Sequence, residues 1–143
     1  MTEDVLVTIK GLHMAAADTG ENVELVTIGK HSSADGLHMI EYEEHFQQDD
    51  ERDLVVKNRL LIGNDRVELQ KDGGLSMQMV FRKDFRSLSK YRLPYGTIDI
   101  AMEATEVQVA ETEDQISVQL QYYLEMNGAH TSDCTMSISI QAR

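Results

Sequence analysis

The feature that most constrains this chain is a two-residue alternation of apolar and polar side chains, interrupted at short intervals by turn-forming residues. Residues 116–126 set Ile116, Val118, Leu120, Tyr122, Leu124 and Met126 against Ser117, Gln119, Gln121 and Glu125. Residues 134–140 set Cys134, Met136, Ile138 and Ile140 against Thr135, Ser137 and Ser139, and residues 75–82 align Leu75, Met77, Met79 and Phe81, with Val80 out of pattern. Successive side chains of a strand point to opposite faces, so this period predicts strands with one buried face.

The punctuation is equally regular. Turn formers stand at 18–22, 32–36, 47–53, 63–65, 72–74, 83–86, 94–96, 111–115 and at Asn127-Gly128. Glycine and asparagine supply positive φ, and Asn-Gly between two alternating runs is a hairpin signal. Softer alternation groups Val5, Val7 and Ile9, then Leu54, Val56, Asn58, Leu60 and Ile62, then Ile98, Ile100, Met102 and Ala104. After Gly11 the parity shifts to Leu12 and Met14, as at a bulge. Runs 22–31 and 37–46 are ambiguous in face, and no segment reads as an amphipathic helix.

Short connections imply antiparallel neighbours, because parallel pairs need long crossovers. One-sided strands must stack or close on themselves, and closure removes the sheet edges. The expectation is an all-β fold: one domain over residues 1–143, a closed antiparallel meander β-barrel of about eight to ten strands, with a two-sheet sandwich as the alternative.

Charge narrows the partners. The net charge is −12, which repels phosphate backbones and anionic lipid surfaces, so neither nucleic acid nor membrane is expected as a partner. The single cysteine allows no intrachain disulfide, and no signal peptide or apolar span is evident, so the cytoplasm is the expected location.

Chemistry-bearing motifs are scarce. There is no zinc pattern, phosphate loop or nucleophile elbow. His38 and His45 bracket Glu41, Glu43 and Glu44, but alternation splits this set between two faces, and a polar strand end is the simpler reading. The seven carboxylates within 41–53 lack the glycine and the offsets of a calcium loop. Cys134 lies on the apolar face of its strand and reads as structural rather than nucleophilic. No metal, cofactor or catalytic residue is expected, and an enzyme reading has little support.

Two cationic features remain. Arg82, Lys83, Arg86, Lys90 and Arg92 form a basic island opposed by Asp84 alone, which would meet an anionic ligand or an acidic partner, or pair with the protein's own carboxylates. Lys71 shares parity with Val67 and Leu69 and leans toward the barrel mouth, with Glu43 as its partner if that face is the inner one.

The segments Met77-Gln78-Met79-Val80-Phe81, Lys90-Tyr91-Arg92-Leu93-Pro94-Tyr95-Gly96 and Ile98-Asp99-Ile100 resemble the YwiB-like bacterial proteins. So do Glu41-Tyr42-Glu43-Glu44, Leu120-Gln121-Tyr122 and Asn127-Gly128, and the resemblance runs from about residue 5 to 141. It implies a calycin-like barrel, similar in architecture to lipocalins, and no established activity. Two departures stand out: Lys71-Asp72-Gly73 where the family tends to have Arg-Ser-Gly, and Asp84 where it tends to have glycine. The first loses the planar fork that grips carboxylates in two contacts.

Two functional readings follow. In the first, the barrel binds a small apolar or amphiphilic ligand in or at its mouth. Tyr42, Glu43, Lys71, Tyr91 and Tyr95 would supply polar contacts, and Met77, Met79, Phe81 and Tyr122 would supply apolar ones. Met39 and Met102 would add to a methionine lining. In the second, the barrel is filled with side chains and acts as a non-catalytic interaction domain through the basic island or the acidic loop.

Overall fold

The computed structural model describes residues 3–11, 24–47, 53–73, 76–93 and 96–143. Leu12, Met14 and Tyr95 lie outside these residues. Ten strands follow in chain order: β1 Asp4–Lys10, β2 Glu24–Ala34, β3 Leu37–Gln47, β4 Asp53–Ile62, β5 Arg66–Gly73, β6 Met77–Arg82, β7 Arg86–Leu93, β8 Gly96–Glu111, β9 Gln115–Met126 and β10 Ala129–Ala142. There is no helix among the described residues.

All pairings between the strands are antiparallel, in one sheet of order β6-β5-β4-β3-β2-β1-β10-β9-β8-β7. Each strand lies beside its chain neighbours, and β1 joins β10 through pairs from Val5–Ala142 to Lys10–Ser137. The result is the expected antiparallel meander barrel, nearly closed, with the two edges of the sheet, β6 and β7, facing each other across a seam. There, among the described residues, the backbone bonds that bridge the two edges are those Ser76, just before β6, exchanges with Arg92 of β7 at 2.9 and 2.8 Å. Beyond β6, Lys83 pairs with Ala104 of β8, and the Asp84 N–H donates to the Ala104 carbonyl at 2.9 Å.

Inward side chains from all ten strands except β2 build one buried cluster, running from Val5, Val7 and Ile9 through Ile40, Leu60 and Leu69 to Leu120, Met136 and Ile140. Alternation puts each of these on the dry side, and burying one Leu, Ile or Val contributes roughly 1.5–3 kcal/mol. Phe81 and Tyr122 meet edge to face inside it, with ring centroids 5.0 Å apart. Met77, Met79 and Met102 are buried there, whereas Met39 lies on the outer face because its neighbour Ile40 points in.

Turn chemistry fixes the register. Asn127 and Gly128 adopt φ of 51° and 83°, as do Asp35 and Gly36 at 55° and 80°, the pairs of positive φ that a tight two-residue hairpin requires. Gly73, at φ 130°, has no room for a side chain, since a Cβ would stand 2.3 Å from the Val55 carbonyl oxygen. An extra residue between Ala104 and Glu106 shifts the β8–β9 register. The bulge moves the inward set of β8 from Met102 and Ala104 to Val107 and Val109.

Candidate functional site

Strand direction gives the barrel two ends. One end carries the strand termini Lys10 and Glu24, Gln47 and Asp53, Gly73 and Met77, Leu93 and Gly96. This is the mouth, and the polar inward residues concentrate just inside it.

Register lays these residues side by side. Tyr42 of β3 is opposite Asn58 of β4, Asn58 is opposite Lys71 of β5, and Lys71 is opposite Met77 of β6. Across the seam, the Ser76–Arg92 pair brings Met77 level with Tyr91, which is opposite Ile98. Tyr42, Asn58, Lys71, Met77 and Tyr91 are all buried, so one inward row circles half the barrel.

Within that row, three polar groups close a triangle. The Lys71 ammonium donates to Glu44 Oε1 at 2.5 Å and to Asn58 Oδ1 at 2.8 Å, and Asn58 Nδ2 donates to the same Glu44 oxygen at 3.0 Å. The Lys71 and Glu44 side chains are 4% and 12% exposed, so neither charge is left to water alone. A buried charge is tolerable only when paired and hydrogen-bonded in this way. The third Lys71 N–H has no partner among the described residues.

Beside the triangle, the Tyr42 hydroxyl is buried and has no hydrogen-bond partner among the described residues. Burial, and then the Glu44 carboxylate, hold this phenol well above the ordinary tyrosine range. It therefore stays a neutral O–H. A buried hydroxyl without a partner costs roughly 1–3 kcal/mol and calls for a water or a ligand.

The wall next to Tyr42 is open. Pairing between β2 and β3 runs from Ala34–Leu37 only as far as Lys30–Glu41, although both strands continue toward the mouth. From there β2 follows β1 and β3 follows β4. The split holds a cleft of about 690 Å³ whose sides include Thr27, Glu41, Glu43 and Lys57 and whose inner wall includes Tyr42 and Asn58.

The expected site residues fall into three groups. Tyr42, Lys71, Met77 and Tyr91 share the inward row. Met79, Phe81 and Tyr122 are buried deeper, and burial raises the Tyr122 phenol, with Cys134 adding to the effect. Glu43 points outward into the split, 3.4 Å from His45, and is not the partner of Lys71; Ile40, Tyr42 and Glu44 are the inner set of β3, so Glu44 takes that role. Asn58 and Glu44 complete the site without having been singled out. Asn58 had a visible signal, a polar residue in phase with Val56, Leu60 and Ile62.

The opposite end is plugged by a second polar chain. His31 Nε2 lies 2.9 Å from His38 Nδ1, and His38 Nε2 lies 2.8 Å from Glu111 Oε1. The basic island is exposed and partly self-paired: Arg86 grips Glu125 with two bonds of 3.3 and 2.7 Å, and Lys90 stands 4.0 Å from Asp99. Among the described residues, no three His, Cys, Asp or Glu side chains are grouped to hold a metal ion. No helix among them is long and apolar enough to cross a membrane.

The crystal structure of the YwiB protein from Bacillus subtilis superposes on this fold with a TM-score of 0.77, covering 99% of this chain and 92% of that one at 17% identity. At that identity the likeness speaks for the fold alone. No curated protein matches the chain. Residues 7–138 match a family model described as a domain of unknown function, DUF1934, and the chain belongs to that family.

Proposed function

We propose that this protein binds a small amphiphilic molecule at the mouth of the barrel, with its polar group against Tyr42 and its apolar part along Met77. The observation that carries the reading is the buried, unpartnered Tyr42 hydroxyl behind the β2–β3 split. Lys71 and Glu44 neutralise each other, so what this wall offers is hydrogen bonding rather than net charge. Such a site suits a neutral polar head, such as a hydroxyl. Methionine fits the apolar side of such a site, being flexible and polarisable. Small barrels of this kind hold one small ligand or fill with side chains, and an open split beside an unsatisfied hydroxyl favours the former.

Calorimetric titration with decanol tests the reading. Wild type binds saturably, Tyr42→Phe weakens binding by about three- to tenfold, the loss of one hydrogen bond, and Met77→Trp abolishes it. No saturable binding, or equal binding by Met77→Trp, overturns it.

A further inference from the structure

The β6–β7 seam is a second break in the wall. In an antiparallel pair, hydrogen-bonded partners recur every second residue. Ser76–Arg92 is such a partnership, so Gln78–Lys90 and Val80–Leu88 are the next two, yet neither forms among the described residues. Instead the Gln78 N–H donates to the Ser89 hydroxyl at 3.3 Å, a side chain lying where the ladder should run. Arg92 turns its N–H toward β6, and strand alternation turns those of Lys90 and Leu88 the same way, into a gap where no described backbone carbonyl accepts them.

The seam opens into a cleft of about 570 Å³ bounded by Asp72, Ser76, Ser89, Lys90 and Arg92, with Met77 also in its wall. Lys90 and Arg92 both project outward from β7, two residues apart, which spaces them by roughly 7 Å. The Arg92 guanidinium bonds to no described side chain, and Lys90 is only 4.0 Å from Asp99. Among the described residues, Asp72 is the one carboxylate in the cleft wall, on a chain whose net charge is −12. Two cations, the Ser76 and Ser89 hydroxyls and inward-turned N–H groups are the donor set that a compact oxyanion needs.

We propose that this seam cleft is a binding site for a small molecule bearing a phosphate or carboxylate group, gripped by Arg92 and Lys90 and by the backbone N–H of Lys90. It lies on the other side of Lys71 from the β2–β3 split and shares Met77 with the mouth site, but its test reads Lys90 and Arg92, which the mouth site does not use.

Amide NMR titrations with inorganic phosphate and with citrate, at constant ionic strength, test it. The expected result is saturable shifts at Leu88, Ser89, Lys90 and Arg92 with at least one of the two anions. Response to phosphate alone assigns a phosphorylated ligand, and response to citrate alone a carboxylate. Arg92→Met together with Lys90→Met should weaken binding by about tenfold or more at unchanged Tm, while Arg82→Met leaves it intact. Shifts that never saturate, that spread equally to Arg82 and Arg86, or that survive the double substitution overturn the proposal.

Discussion

Lys71 donates to Glu44 at 2.5 Å across the strand that separates them, and Asn58 on that strand bonds to both. Removing one member leaves the other charge buried and unpaired, which costs about 3–5 kcal/mol, whereas replacing both by apolar groups of similar size is far better tolerated. Lys71→Met and Glu44→Met should each lower stability by that amount. The double variant should be more stable than either single one. Urea unfolding of the four proteins reads the coupling.

Phe81 and Tyr122 anchor the middle of the barrel. Phe81 is fully buried, so Phe81→Ala should cost about 3–5 kcal/mol, and Phe81→Leu less than about 1.5 kcal/mol. Equal losses for the two would mean that the ring is not close-packed against Tyr122.

Asp84 stands at φ 60°, where glycine is at ease and an ordinary side chain is not. Its backbone N–H, not its side chain, makes the bond to Ala104 that ties the β6–β7 turn to β8. Asp84→Gly should therefore stabilise the protein by about 0.5–1 kcal/mol in chemical unfolding.

The histidine chain at the closed end gives a pH dependence. Burial, then the facing His38, lowers the His31 pKa below 6.5, with Glu111 opposing. A histidine with a depressed folded pKa takes up its proton more readily when unfolded, so its effect is nil above about pH 6.5 and destabilises as pH falls below it. Melting followed by circular dichroism should show a lower Tm at pH 5.5 than at pH 7.5. His31→Gln should shrink that difference, and an unchanged difference would remove His31 as its source.

Much of the fold was legible because burial and alternation agree on β6, β9 and β10. It failed where outward residues are also apolar: Val26 and Ile28 on β2 are about half exposed, while inward positions hold Thr27 and Gly29, so no parity stands out. On β3 the run Glu41, Glu43, Glu44 places acids on both faces, which hid Glu44 as the partner of Lys71. Lys71 was legible, since it continues the phase of Val67 and Leu69. The two breaks in the wall were not, because pairing between strands leaves no local mark in either one.

The most direct test of ligand binding at the mouth is native mass spectrometry of the protein purified from its own host, alongside Met77→Trp prepared identically. A reproducible small-molecule adduct on the wild-type protein, missing from Met77→Trp, is the predicted result. A bare mass for both proteins, or the same adduct on both, would contradict it.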